Sequence, residues 1–532
     1  MQQEYDYIIA GAGSAGCVLA ERLSRCGNYQ VLLLEAGGKD SNPMIHIPLA
    51  AAALQETAVD WGYVTQPEPE LNNRRIKWPR GKVLGGSSSI NGMLYIRGQA
   101  ADYDNWAAQG NTGWSYQDLL PYFKQHEHNV AGANNYHGQG GPLWVDAIAG
   151  QFDMAEQFVE AGQQVGLPHN TDFNGEQQEG VGYYSVNIKN GVRQSSVSSH
   201  LKPALKRTNL KVVTNALVEK VVIENNRARG VEASIKGTPQ SFTATREVLL
   251  SGGAINSPQL LQLSGIGDKA HLSEVGVTLV HHLPGVGQNL QDHLTVNICF
   301  NIQDSTTYHD EMKPLKFLKH IVEYAFKRTG LLSFPSAQVG AFFKTDDSQP
   351  SPNAQIHFAP AAAEYDKNGK LVPKPGCTAT VCNLRPNSRG SVKIVSASAD
   401  DKPQITANYL QDTVDQQVML DAVKKTRSIF QADVLKPYGG YEMTPGKGVK
   451  SDAEIMEYIR KDAVSVYHPV GSCKMGSDEW AVVDSELKVH GIDGLRVADA
   501  SIMPQIISGN THAACVVIAE KCADSVLGLV AR

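Results

Sequence analysis

The stretch from Tyr5 to Glu35 limits what this chain can fold into more than any other. Tyr5-Asp6-Tyr7-Ile8-Ile9-Ala10 reads as a short buried strand, and Gly11-Ala12-Gly13-Ser14-Ala15-Gly16 follows at once. An apolar helix comes next, then a second strand, Gln30-Val31-Leu32-Leu33-Leu34, which ends on Glu35. Strand, glycine turn, helix, strand and acid in that order make a βαβ dinucleotide-binding unit. Gly11 permits the tight turn, Gly13 lets the backbone approach a pyrophosphate, and Gly16 lets the helix pack on the strand. The helix N-terminus then offers free N–H groups and the positive end of its dipole to the phosphates. Glu35 stands 19 residues after Gly16, where a carboxylate accepts hydrogen bonds from the adenosine ribose and repels a 2'-phosphate. NAD and FAD both satisfy such a unit, whereas NADP is disfavoured.

A chain of 532 residues exceeds one core, so two domains or one elaborated domain are expected. The net charge of −6 and the lack of long like-charge runs give no reason to invoke nucleic acid. The first strand begins so soon after Met1 that a cleavable signal peptide is not expected. No apolar run is long enough to span a bilayer; Ile47 to Leu54 is too short and should pack internally. The expected location is the cytoplasm, with peripheral seating at the inner membrane as a further option. The eight cysteines lack a Cys-x-x-Cys pair and read as buried free thiols. Cys377 and Cys382 point to opposite faces of a strand-like run, and His281-His282 lacks a cysteine partner. No metal site is expected.

Further strands are needed beside the first unit. Arg246 to Ala254 is a buried strand running into glycines. Leu495 to Ala500 is another, followed by Gly509-Asn510-Thr511 and an apolar helix from about His512 to Leu529. The expected fold class is therefore α/β, a Rossmann-like domain with a parallel sheet, assembled from residues 1–160, 212–299 and 464–532. Residues 161–211 and 300–463 form a second domain with an antiparallel sheet and helices. Its strand-like runs are Asn353 to Pro360, Ala379 to Leu384 and Ser391 to Val395. Its amphipathic stretches are Lys316 to Lys327 and Val414 to Gln431.

Two more glycine-rich segments carry chemistry. Trp78-Pro79-Arg80-Gly81-Lys82-Val83-Leu84-Gly85-Gly86-Ser87-Ser88-Ser89-Ile90-Asn91-Gly92 offers backbone and hydroxyl donors to an anion. Gly253 to Gly267 is the other. With these, with Asn289-Leu290-Gln291-Asp292-His293 and with Tyr467 to Gly476, the chain resembles the glucose–methanol–choline (GMC) oxidoreductases. The similarity runs from about Tyr5 to Val526 in the family's order. Bacterial choline-dehydrogenase-like and aliphatic-alcohol-dehydrogenase-like members look nearest.

The resemblance implies an FAD enzyme that oxidises a primary alcohol to the aldehyde, passing a hydride to flavin N5. By similarity Ser14 and Ala15 meet the pyrophosphate, and Glu35 with Ala36 the adenosine ribose. Val83 and Asn91-Gly92-Met93-Leu94 lie along the flavin and ribityl chain. Val218 contacts the adenine through its backbone, and Asp499 and Ala500 approach the pyrophosphate and ribityl region. Ile90 stands where some members carry a flavin-linked histidine, so non-covalent FAD is expected.

The protein must supply a base for the hydroxyl proton, and histidine titrates near working pH. In the family pattern that base is His468, and its partner position is Asn510, an amide that orients the alcohol oxygen. His512 is the competitor for the partner role. His357 is a candidate for the substrate pocket, with a core strand position as the alternative. Asn289, Asp292 and His293 read as a structural loop. Choline, a quaternary ammonium, would want an aromatic cage or a carboxylate. Where choline-dehydrogenase-like chains often carry a glutamate this one has Gln338, which favours a neutral primary alcohol. Oxidation of choline to betaine aldehyde is the alternative. The electron acceptor, quinone or oxygen, is not legible, nor is the oligomeric state. A nicotinamide dehydrogenase, a light-driven decarboxylase of the same fold and a non-catalytic flavin binder fit the later motifs less well.

Overall fold

The computed structural model describes residues 3–148, 152–365 and 371–529. The strand Gln3–Ala10 lies between Val31–Glu35 and Thr238–Leu250 and is parallel to both. Leu210–Thr214 extends the sheet in parallel beyond Val31–Glu35. On its other edge Thr238–Leu250 first pairs antiparallel with Arg227–Ile235, and then, at Val248 to Leu250, parallel with Leu495–Val497. Ala216–Glu224 closes that side. Strands buried on both faces need unbroken apolar runs, and Val31 to Glu35 is buried at every position. Because the central strands are parallel, their carboxyl ends share one edge. Gly11, Glu35, Ser251 and Asp499 thus come together from distant parts of the sequence, where open α/β sheets bind ligands.

The helix Ser14–Ser24 packs on the C-terminal helix His512–Leu527. Arg22 bridges them, donating to Glu520 and Asp524 in a buried cluster. A lone buried charge would be costly, and mutual pairing offsets the loss of water.

A second sheet is antiparallel, in the order Tyr441–Thr444, Leu294–Asn301, Gly376–Asn383, Ala354–Ala359, Val339–Phe343 and Gly180–Tyr183. Alternation sorts its side chains. Ile356, Phe358, Ala379 and Val381 enter a core with Phe158 and Phe430 from the covering helices Asp153–Gln164 and Thr413–Phe430. His357 and Thr380, paired across the ladder, turn the other way. The expected strand at Ser391 forms, but as a separate ribbon of Ser391–Lys393 with Gln404–Thr406. The Ile47 to Leu54 run becomes a 3-10 helix, Pro48–Leu54. All eight cysteines are free; seven are buried and Cys26 is exposed. Among the described residues no helix is long and apolar enough to cross a membrane.

Candidate active site

A single cavity of about 480 Å³ runs along the carboxyl edge of the parallel sheet and under the antiparallel one. Gly11, Gly13, Ser14, Ala15, Glu35, Ala36, Asn91, Gly92, Met93, Leu94, Val218, Asp499, Ala500, His357, His468 and Asn510 all line it. Gly16 and Val83 do not. Gly16 lies beneath the wall, where an added Cβ would stand 1.9 Å from the Gly11 carbonyl oxygen. Val83 packs into a small core with Ile45, Leu54 and Ile90. Burial thus draws the Val83 side chain behind the wall.

At one end the three glycines divide their work. Gly11 has φ +102°, and a Cβ there would meet the Ser251 carbonyl oxygen at 2.6 Å. Gly13 has nothing nearer than 3.8 Å, so its open side belongs to the cavity. Gly13 caps the helix without a side-chain bond, and no acid stands in the first turn. The helix His512–Leu527 likewise begins without a side-chain cap, at Thr511 on the cavity wall, whereas the Asp499 carboxylate already accepts from Gly253 N at the start of the helix Gly253–Leu263. Uncapped N–H groups and the positive dipole ends of the two uncapped helices suit a diphosphate.

Gly86 clamps the second glycine segment on the first, since a Cβ there would meet Gly13 Cα at 2.7 Å. The Gly85 N–H donates to Ala12 O at 2.8 Å. Arg193 Nη1 ties down the following turn, donating to Asn91 O and Oδ1 at 2.6 and 2.7 Å. Met93 there takes φ +62°, a conformation held only by its surroundings.

Glu35 accepts from the N–H groups of Ala12 and Gly37 at 2.9 and 2.8 Å. Burial raises its carboxyl to about 7, against the pull of those N–H groups. Val218 sits at a β-bulge, which interrupts the ladder and frees backbone groups. The Asp499 carboxylate accepts from Gly253 N, Ser257 Oγ and Ser501 N at 2.8, 2.5 and 2.8 Å, stitching the C-terminal strand end to the middle segment.

At the other end His468 and Asn510 meet, Asn510 Nδ2 lying 3.1 Å from His468 Nε2. His512 is directed away, its Nδ1 lying 3.1 Å from Ser14 Oγ in the fingerprint turn. Behind His468 stands His293, with the two Nδ1 atoms 3.0 Å apart. His293 Nε2 is 3.1 Å from the Leu384 carbonyl oxygen. A carbonyl can only accept, so His293 Nε2 carries the proton. Burial pushes the His293 ring down to about 3, so it is neutral and its Nδ1 is a lone pair. His468 Nδ1 must then donate to it, which leaves His468 Nε2 unprotonated and able to accept from Asn510. Burial first, then His293, His357 and Arg80, hold His468 well below the usual histidine range.

Asp292 fixes the backbone of this histidine. It accepts from His468 N at 2.7 Å and from Ser465 Oγ at 2.5 Å, and also from the Tyr409 hydroxyl. Arg80 Nη2 donates to Tyr467 O at 2.5 Å, and Tyr467 adopts φ +69°. The Asn289–His293 loop is thus more than structural filling. Sequence reasoning noticed its motif and missed that its acid and histidine close on His468 from 176 and 175 residues away.

His357 stacks on Tyr184 with centroids 5.7 Å apart. Its ring nitrogens are buried with only Asn510 and the Thr380 backbone near, neither in good hydrogen-bond geometry, and His512 Nε2 is buried without a partner among the described residues. Burial lowers both rings to about 4. Unpartnered donors and acceptors on a cavity wall are satisfied by a polar ligand. Gln338 is not on the wall. It is fully buried, and its amide donates to Tyr308 Oη at 3.1 Å. The acids that line the cavity are Glu35 and Asp499.

Comparison with known proteins agrees with this architecture. Family models described as GMC oxidoreductase match residues 5–295 and 386–519. The oxygen-dependent choline dehydrogenase of Vibrio vulnificus is 44% identical over 99% of this chain and 95% of its own length. The alcohol dehydrogenase [acceptor] of Pseudomonas putida is 43% identical over 98% and 96%. An FAD-dependent oxidoreductase from Chaetomium thermophilum superposes with a TM-score of 0.90 at 28% identity, covering 98% of this chain and 99% of the other.

Proposed function

Because the chain belongs to the GMC oxidoreductases, FAD-dependent enzymes that act on CH–OH donors, we propose that it oxidises a neutral primary alcohol with His468 as the base. The observation that carries this reading is the hydrogen-bond chain Leu384 O, His293, His468, Asn510. It leaves the basic lone pair of His468 on Nε2, beside Asn510. The alcohol hydroxyl displaces the Asn510 N–H as donor to that nitrogen, and Asn510 then donates to the alcohol oxygen as its proton departs. FAD, when bound, supplies the acceptor for the hydride that leaves the α-carbon. His468 holds the abstracted proton at Nε2 while Nδ1 keeps its bond to His293.

The uncapped helix ends, the open side of Gly13 and the carboxylate of Glu35 fit a dinucleotide cofactor. Ile90 offers no nucleophile to a flavin ring, which supports a non-covalent complex. Acid precipitation should then release all yellow colour to the supernatant; colour retained in the pellet would refute this.

The substrate reading rests on the wall rather than on Gln338. Asp292, the carboxylate beside His468, is spent on the His468 backbone N–H and is not on the cavity wall, so it is not presented to a quaternary ammonium. The names of the relatives favour choline as the second reading. Anaerobic stopped-flow mixing with choline, octanol and benzyl alcohol separates the two. Fast bleaching of the flavin by octanol or benzyl alcohol is expected, and bleaching by choline alone would overturn the proposal. Following reoxidation of the reduced enzyme by air and by a quinone identifies the acceptor.

A further inference from the structure

The helix Pro314–Lys327 is the least buried of the described helices of eight or more residues. Only Tyr324 among its residues is buried. Tyr324 Oη donates to the carbonyls of His46 and Gly191 at 3.2 and 3.0 Å. Phe317 joins a small core with Leu49 of the turn Pro48–Leu54, and Ala51 and Ala52 of that turn line the cavity. The inner side of the helix is therefore anchored to a segment that walls the active-site cavity. Among the described residues the outer side has no partner. Leu315 and Phe326 are 86% and 85% exposed, and Leu318 and Val322 are 57% and 50% exposed. Their spacing of three, four and four residues makes one continuous stripe.

Charge flanks that stripe. Lys313, Lys316, Lys319, Lys327 and Arg328 are exposed; Lys313 and Lys316 pair with Asp310 and Glu311, and Lys319, Lys327 and Arg328 make no ion pair among the described residues. This basic patch lies on a chain of net charge −6. Positive charge beside an apolar stripe complements an anionic bilayer, which offers acyl chains and anionic headgroups together. An apolar stripe edged by lysines is the pattern of a helix that rests in a membrane interface.

We propose that the helix Pro314–Lys327 is a peripheral membrane anchor. Leu315, Leu318, Val322 and Phe326 enter the acyl boundary of an anionic bilayer, and the flanking lysines meet lipid headgroups. The enzyme is thereby held with the turn that walls its cavity close to the lipid. The inference does not depend on the identity of the substrate.

The test is flotation of the FAD-loaded protein with vesicles of phosphatidylcholine alone or mixed with phosphatidylglycerol. Binding to the mixed vesicles is expected, weakened by high salt and much lower on the neutral vesicles. The double variant Leu315→Glu and Phe326→Glu should bind roughly a hundredfold less, since each large apolar side chain contributes about tenfold or more to transfer. Its flavin spectrum and its turnover of a soluble alcohol should match the parent. Equal flotation of parent and variant overturns the proposal, as does equal binding to neutral and anionic vesicles. Absence of flotation together with a dimer that the double variant converts to monomer in size-exclusion chromatography also overturns it, and assigns the face to a second copy.

Discussion

At the scale of single residues the site is a question of which nitrogen holds which proton. His468 acts as a base only with its lone pair on Nε2, and that choice is imposed from behind by His293 and the Leu384 carbonyl. His468→Ala should slow flavin reduction by about 10²- to 10⁴-fold while the bound flavin spectrum is unchanged; reduction near the parent rate would remove it from the mechanism. His293→Phe takes away the acceptor for His468 Nδ1–H. It should slow reduction by roughly 10- to 10⁴-fold, the range over which a misdirected imidazole tautomer acts. His293→Asn presents an acceptor to His468 and a donor to Leu384, so it should recover much of the lost rate. Equal damage from Phe and Asn would argue for packing rather than proton placement. The pH profile is a separate check. Burial lowers the pKa of His468, and the unprotonated form is the active one, so the rate is lost as pH falls through that lowered value. Reduction should stay level from neutral pH down through 6.5, the ordinary histidine value, and decline only below it. A midpoint at or above 6.5 would contradict the buried environment.

At the scale of elements the glycine turn distributes its tasks between fold and ligand. A methyl on Gly16 would collide with the Gly11 carbonyl at 1.9 Å, while one on Gly13 meets nothing within the protein closer than 3.8 Å. Gly16→Ala should therefore destabilise the protein even without cofactor, by about 1–3 kcal/mol as overpacking does. Gly13→Ala should leave the apoprotein's melting temperature unchanged and weaken FAD binding. Thermal melts of both apoproteins, with FAD titrations, distinguish the two; equal melting losses would mean that Gly13 is also a packing residue. The second sheet makes a similar division by alternation. His357 and Thr380 face the cavity because Ile356, Phe358, Ala379 and Val381 face the helices. That pattern was legible in Gln355-Ile356-His357-Phe358 as a strand, and the side on which His357 falls was not.

At the scale of the whole molecule the cavity is a meeting point of the early, middle and late chain. Residues near positions 13, 35, 91, 218, 253, 357, 468 and 510 share one wall. A ligand there crosslinks all of them in the native state alone, so stripping FAD should lower the melting temperature. Restoring it at a thousandfold excess over its dissociation constant should add about 4 kcal/mol of stability; a melt indifferent to FAD would show that the cavity is not its seat. What the sequence alone determined was local. The glycine turn, its helix, Glu35 and the apolar strands are legible because their physics lies within a few neighbours: sterics at a tight turn, hydrophobic period, dipole and charge. Family resemblance extended this to His468 and Asn510. Tertiary structure decided the rest. It set His512 against Ser14, drew Val83 behind the wall, turned Gln338 away from the cavity and set Asp292 and His293 behind the base. For His512, Asp292 and His293 the partners lie more than a hundred residues away, and for Val83 and Gln338 the outcome is burial. Burial and long-range partnership exist only once the sheets have closed around the cavity.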